Sequence, residues 1–133
     1  MKISKSRADL ENARLEQAML KRYHETLFVV AASSTTTLDI TNGNVFKLTQ
    51  DTDITTLNVT NPTATGNTTS ITIIRVKDAT GTTRNITWPS AFKWAGGTQP
   101  TLTQTSGAID VISAFTIDGG TTWFAFSAGA NMS

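Results

Sequence analysis

The chain contains no cysteine, so disulfides, thiolate metal ligands and thiol nucleophiles are all excluded. Charged residues make up only 16% of its 133 residues, against roughly 25% in a typical domain. The net charge is +1 and no basic cluster extends beyond Lys21-Arg22, which argues against nucleic acid as a partner. Because the longest apolar run, residues 27–32, is too short to cross a bilayer and the polar start is unlike a signal peptide, we expect no membrane partner either.

Threonine is the abundant residue, with 26 copies, and the composition changes near residue 30. All three glutamates, the only histidine and the only tyrosine lie within the first 25 residues. This change predicts two parts: residues 1–30 as an N-terminal helix for oligomerisation or attachment, and residues 31–133 as a Thr-rich antiparallel β domain.

The first part contains strong helix formers without glycine or proline, and Ser6 with Asp9 resembles a capping box. An α-helix is therefore predicted from Ser4 or Ser6 to Leu27. Two interpretations of its heptad pattern remain open: a parallel trimeric coiled coil whose polar seam residues fix the register, or a lone amphipathic helix packed on its own β domain. The candidate seam consists of Ile3, Leu10, Ala13, Gln17, Leu20, His24 and Leu27.

After residue 33 apolar and polar residues alternate between turn signals, as in β-strands. Seven or eight short strands are predicted, which favours an antiparallel β-sandwich or jelly-roll-like domain. The likeness of residues 37–42 to residues 56–61 is attributed to shared strand chemistry rather than to a repeat. Three hairpins are predicted: one around Asn42-Gly43, one joining residues 71–77 to 83–88 with a bulge at Ile73-Ile74, and one joining residues 108–117 to 121–127.

Acid–base catalysis needs a titratable pair in one pocket, but after residue 30 the chain has no histidine, glutamate, cysteine or tyrosine. The remaining aspartates are expected at turns or on solvent faces of strands. The Asp51-Thr-Asp53 segment lacks the glycine and closing glutamate of a calcium loop. We therefore predict no catalytic residues, no cofactor and no metal site.

Two of the three tryptophans lie in the turn-rich segment 88–102. Trp88, Phe92 and Trp94 form a candidate receptor or partner loop. The aromatic side chains either point inward and close one end of the β domain, or point outward to stack on a sugar ring or to contact a neighbouring subunit.

From about residue 85 onward the chain carries a series of short motifs: NITWP, FKWAGGT, PTLT, GAIDVI, DGGTTW and AGAN. Their order resembles the C-terminal β-module of bacteriophage tail-fibre and related virion appendage proteins, particularly those of marine tailed phages. The resemblance implies a homotrimer made in the host cytoplasm and exposed on the virion, attached to capsid or tail proteins by its N-terminal segment. The expected function is a non-enzymatic, fibre-like or capsid-decorating structural protein. The alternative is a host-receptor module that binds surface glycan through the Trp-rich loop.

Overall fold

The computed structural model describes residues 16, 17 and 19–133, and the fold is mainly β. Two short 3₁₀ turns, Ile40–Asn42 and Ala95–Gly97, lie between strands. The strands are β1 (Leu27–Ala31), β2 (Thr35–Asp39), β3 (Val45–Gln50), β4 (Thr56–Thr60), β5 (Thr69–Lys77), β6 (Phe92–Trp94), β7 (Ile109–Thr116) and β8 (Trp123–Met132).

The strands form a six-stranded mixed sheet in the order β1-β3-β5-β7-β8-β6 and a two-stranded sheet of β2 and β4. From β1 to β5 the chain alternates between the two sheets, and strands of the same sheet run parallel. We call each passage of the chain through both sheets a coil. The first coil consists of β1 and β2, the second consists of β3 and β4, and the second lies beside the first. The larger sheet is then continued by β7, antiparallel to β5, and by β8, antiparallel to β7, while β6 pairs in parallel with the other edge of β8.

One core cluster draws on both sheets. Alternate residues of β3 and β5 point into it, as the two-residue period of a strand requires, including Phe46, Leu48 and Ile73. The smaller sheet contributes Leu38 and Leu57. Complete burial of such a side chain stabilises the fold by about 1.5–3 kcal/mol. The core therefore holds the two sheets together.

The prediction of an antiparallel domain is wrong for four of the six strand pairs, which are parallel. The first predicted hairpin is also wrong, because β2 and β3 lie in different sheets. Gly43 serves a different purpose there. Its φ is 141°, and a Cβ at this position would lie 2.6 Å from the carbonyl oxygen of Thr26. Glycine is thus needed for a close approach between two backbones rather than for a hairpin turn.

The second predicted hairpin is absent, since residues 83–88 contribute only an isolated parallel bridge between Ile86 and Ile54. The predicted bulge at Ile73-Ile74 is wrong too, because β5 pairs without interruption with both neighbours. A register irregularity occurs instead opposite Val111, where β7 meets β8. The third hairpin is confirmed, with β7 and β8 antiparallel.

The two similar segments, 37–42 and 56–61, lie next to each other in the smaller sheet. They contain parts of β2 and β4, which pair in parallel with Thr37 opposite Asn58. Asn61 Nδ2 also donates a hydrogen bond to Asp39 Oδ1 at 2.8 Å. The sequence likeness aligns Thr37 with Thr56, two residues away from this register, so the similar residues do not occupy equivalent positions and the likeness agrees with its attribution to strand chemistry.

The N-terminal helix predicted to end at Leu27 is wrong over the residues that can be compared. Residues 19–26 are not helical, and Leu27 begins β1, which crosses the predicted boundary after residue 30. The physical reason is that β-branched and aromatic side chains in residues 27–31 pair with β3, and this tertiary pairing overrides helix propensity. Arg22, at a φ of 58°, also departs from helical geometry.

The predicted coiled-coil seam lies partly inside and partly outside the described residues. Its members Gln17, Leu20 and His24 are exposed and lie outside regular secondary structure, and Leu27 is half-exposed in β1. The remaining members, Ile3, Leu10 and Ala13, lie outside the described residues. A helical seam ending at residue 27 is thus wrong for its described half.

Candidate functional site

The Trp-rich loop is built on the short strand β6. Pro89 begins a turn in which the backbone N–H of Phe92 donates to the Pro89 carbonyl at 2.9 Å. The strand then pairs in parallel with β8, which places Trp94 opposite Ala125. Gly96 follows with a φ of 68°, a left-handed conformation that glycine adopts without strain. The loop is therefore attached to the edge of the larger sheet through β6.

The aromatic rings of the loop pack on one another. Trp88 is 6% exposed and Phe92 5%, and their rings stack with centroids 5.9 Å apart. Trp94 meets Trp88 edge-on at 5.0 Å, and Phe92 contacts Trp123 of β8 at 6.1 Å. Such offset and edge-to-face pairs stabilise a core beyond the area they bury. Trp88 and Phe92 consequently point inward and fill one part of the core.

Trp94 differs from these two because it is only half-buried. Its Nε1 is inaccessible to solvent and has no hydrogen-bond partner among the described residues, an uncommon state for a buried N–H group. A cavity of about 240 Å³ lies beside the ring. It is lined by Trp94, Ala95, Thr98, Pro100, Ala125, Phe126 and Ser127. Of the three candidate loop residues, Trp94 is the one that lines this open cavity.

The interior also contains a charged network that the sequence analysis missed. Arg75 is fully buried and lies in phase with the inward residues of β5. Its Nε donates to Gln50 Oε1 at 2.8 Å, and its Nη1 donates to Asp110 Oδ2 at 3.0 Å and to the Thr103 carbonyl. The sequence did contain one sign of this network: Arg75 alternates with the inward-facing apolar residues of its strand. Burial lowers the pKa of Arg75, and the charge of Asp110 opposes that effect.

Asp110 is the anion at the centre of this network and is 2% exposed. Besides the Arg75 bond, it accepts hydrogen bonds from Thr103 N at 2.8 Å, Thr103 Oγ1 at 2.7 Å and Asn131 N at 3.1 Å. Burial acts to raise the pKa of Asp110, but these hydrogen bonds and the Arg75 charge outweigh it and hold the pKa below its ordinary value. The expectation of aspartates at turns or on solvent faces is wrong for this residue.

A second ion cluster continues from the end of β5. Lys77 is buried and its Nζ contacts Asp78 Oδ1, while Arg84 Nη2 contacts Asp78 Oδ2 at 2.9 Å. Lys77 Nζ also donates to the Thr80 carbonyl at 2.9 Å. Hydrogen bonds from Lys77 and then from Arg84 hold the pKa of Asp78 far below its ordinary value. The Asp78 carboxylate therefore stays charged at neutral pH.

The chemistry of these groups is structural in character. The aspartates of the network direct their oxygens at donors of the same chain, and so do Asp39, Asp53 and Asp118. In residues 16, 17 and 19–133, no group of three or more His, Asp or Glu side chains could hold a metal ion. Within the same part of the chain, no helix is long and apolar enough to cross a membrane.

The candidate site thus has two distinct features, the cavity beside Trp94 and the Arg75–Asp110 network. Neither feature was assembled by a local motif, since the contributing strands and loops lie far apart in the chain. Comparison with protein-family models, curated proteins and solved structures found no match for this chain.

Proposed function

We propose that this chain is a non-enzymatic bacteriophage virion protein: a small trimeric fibre-like or capsid-decorating appendage, attached through its N-terminal region with the β domain facing outward. The observation that carries the proposal is a run of exposed apolar side chains before and within β1. Six large apolar residues there are between 36% and 93% exposed. They are Met19, Leu20, Tyr23, Leu27, Phe28 and Val29. Clustered exposed apolar side chains mark interaction sites, and this run supports attachment by the N-terminal end.

The finer architecture belongs to the same proposal. We propose that the two sheets pack face to face as a small sandwich, closed at one end by Trp88 and Phe92. Their burial and the internally bonded charges of Arg75 and Asp110 support a rigid domain suited to an exposed position. Aspartates committed to structural hydrogen bonds support the non-enzymatic part.

The test is to locate the chain in particles. Phage particles from a culture that carries the gene are purified, probed with antibody raised against the β domain and viewed by electron microscopy. We expect specific label on the head or the tail. Detection of the chain in the cell lysate but not in purified particles would contradict a virion role.

A matched pair of variants tests the attachment region. Tyr23→Asp together with Leu20→Asp places charge in the exposed apolar run, and we expect the chain to be lost from particles. Thr121→Asp adds a negative charge at an exposed turn and should leave incorporation unchanged. Equal incorporation of both variants would refute attachment through residues 19–29 while leaving a virion location intact.

A second function, glycan recognition, is favoured by the cavity beside Trp94. A half-buried indole next to Thr98 and Ser127 combines an apolar stacking surface with hydroxyl groups, the two elements that a sugar ring requires. On a glycan array, we expect wild type to bind a defined sugar, Trp94→Ala to lose that binding and Lys93→Ala on the same strand to retain it. Wild type without binding, or equal binding by Trp94→Ala, would reject this function.

A further inference from the structure

The side of the six-stranded sheet that faces away from the core, the outer face, is unusually apolar. Strand register places Val29, Lys47, Ile74 and Val111 in one row across this face. The neighbouring rows combine apolar residues with the uncharged polar residues Thr49, Ser70, Thr72 and Ser113. The only charged side chains on the face, among the residues described, are Lys47 and Lys93. A sheet with one face in water normally alternates apolar and polar residues. This sheet instead has apolar residues on both faces.

An aromatic cluster marks the centre of the β7–β8 half of the outer face. The ring of Phe115 lies 5.3 Å from that of Phe124 and 6.2 Å from that of Phe126. Phe124 is 38% exposed and Phe126 43%. Nothing in residues 16, 17 and 19–133 buries them further. Phe124 and Phe126 are two residues apart in β8 and point away from the core, whereas Trp123 and Ala125 are buried in it.

The exposed area is large enough for a specific interface. Six outward apolar side chains are about half exposed: Leu27, Val29, Ile117, Phe124, Phe126 and Met132. At roughly 150–200 Å² for a whole side chain of this size, they present about 500 Å². Half-buried neighbours such as Val111 raise this to about 600 Å². One face is thus as large as the largest apolar patches on typical monomers, about 300–600 Å², and two such faces would together bury about 1,200 Å², the lower limit of specific protein interfaces.

We propose that the outer face packs against the outer face of another copy of this chain. A copy is the partner that matches the chemistry, because the face is apolar and offers no acid to a basic partner. The chain's net charge of +1 also causes little repulsion between copies. Lys47 can lay its methylene stem along the apolar surface while its amine reaches the rim. The inference rests on the self-assembly proposed above. Because both copies use the same face, the contact is two-fold, and it adds a pairing of β domains to the trimer.

The test is the native mass of the full chain by light scattering over a concentration series, with three variants. Phe126→Asp places charge on the outer face, Leu20→Asp places it in the N-terminal run, and Ser106→Asp places it in an exposed loop as the control. We expect wild type and Ser106→Asp to be oligomers. Phe126→Asp should weaken association about 30-fold or more, as the loss of a hot-spot residue does. Because Phe126 is already half-exposed, the variant should keep its fold, which circular dichroism checks, with Phe124→Ser as a milder second variant.

The outcomes separate this inference from the proposed function. Dissociation of Phe126→Asp supports the outer face as the interface, whether or not Leu20→Asp also dissociates. If Leu20→Asp dissociates and Phe126→Asp does not, the inference is overturned while the trimer survives as an assembly of N-terminal segments. If all variants stay oligomeric, the inference is likewise overturned. A wild-type monomer at every concentration overturns the inference and the trimeric part of the proposed function together.

Discussion

Replacing Asp110 by asparagine tests whether the buried ion pair determines stability. The carboxylate accepts four hydrogen bonds, one of them from a guanidinium with no solvent exposure. Asp110→Asn removes the negative charge and turns one acceptor oxygen into an N–H₂ group facing other donors. Removing one partner of a buried pair costs about 3–5 kcal/mol, because the other charge stays buried and unpaired.

This cost is a large part of the total stability, which is about 5–15 kcal/mol for a single domain. We expect the free energy of unfolding, measured by urea denaturation at pH 7, to fall by about 3–5 kcal/mol. The matched control is Asp51→Asn, the same chemical change at an exposed position, which should stay within about 0.5 kcal/mol of wild type.

A double-mutant cycle isolates the pair itself. Arg75→Met removes the charge that Asp110→Asn leaves unpaired, so the double variant should be more stable than the sum of the single effects implies, by at least about 1 kcal/mol. Strict additivity, or an Asp110→Asn loss no larger than that of Asp51→Asn, would refute the reasoning that the two charges depend on each other.

Two further predictions concern pH and a turn. Because the pKa values of Asp78 and Asp110 are lowered from 3.8, their contribution is complete at neutral pH and is lost as the pH falls below about 4. The urea midpoint of the wild type should be lower at pH 3 than at pH 7, and this difference should be smaller for Asp110→Asn. Equal differences in the two proteins would contradict the prediction. Gly120→Ala should cost more than Gly96→Ala, by about 1 kcal/mol or more in thermal unfolding. Both glycines have positive φ, but only at position 120 would a Cβ meet another residue, 2.8 Å from a proline Cγ. Equal losses would show that the contact is relieved without cost.

The sequence allowed prediction of a mainly β fold and of the C-terminal hairpin. That hairpin depends on local chemistry: Asp118 Oδ1 accepts from Thr122 N at 2.9 Å, and Gly119 follows at a φ of 70°. Both features lie within a few residues of each other, where turn rules apply. The parallel pairs were not predictable in this way. Leu27 pairs with Val45, and Val45 with Thr72, and alternation along a strand does not reveal the direction of such distant partners.

In the candidate site too, features formed by residues close in sequence were predictable, and features formed by residues far apart in sequence were not. The turn at Pro89 and the aromatic composition of the loop were visible in the sequence, and the inward orientation of Trp88 and Phe92 matches one of its two interpretations. The Arg75–Asp110 network could have been suspected from a charge at an inward strand position. Its closure could not, since it needs the loop that carries Thr103 and the strand that carries Asn131 to meet at one carboxylate.

The position of β6 beside β8 imposes an order on folding during translation. In the larger sheet, β6 pairs only with β8, and Trp94 leaves the ribosome well before Trp123. At about 5–20 residues per second, the aromatic strand waits roughly 2–6 s for its partner. The coils from β1 to β5 can form during that interval. A nascent chain halted between the two strands would therefore present an unsatisfied tryptophan segment to chaperones and proteases.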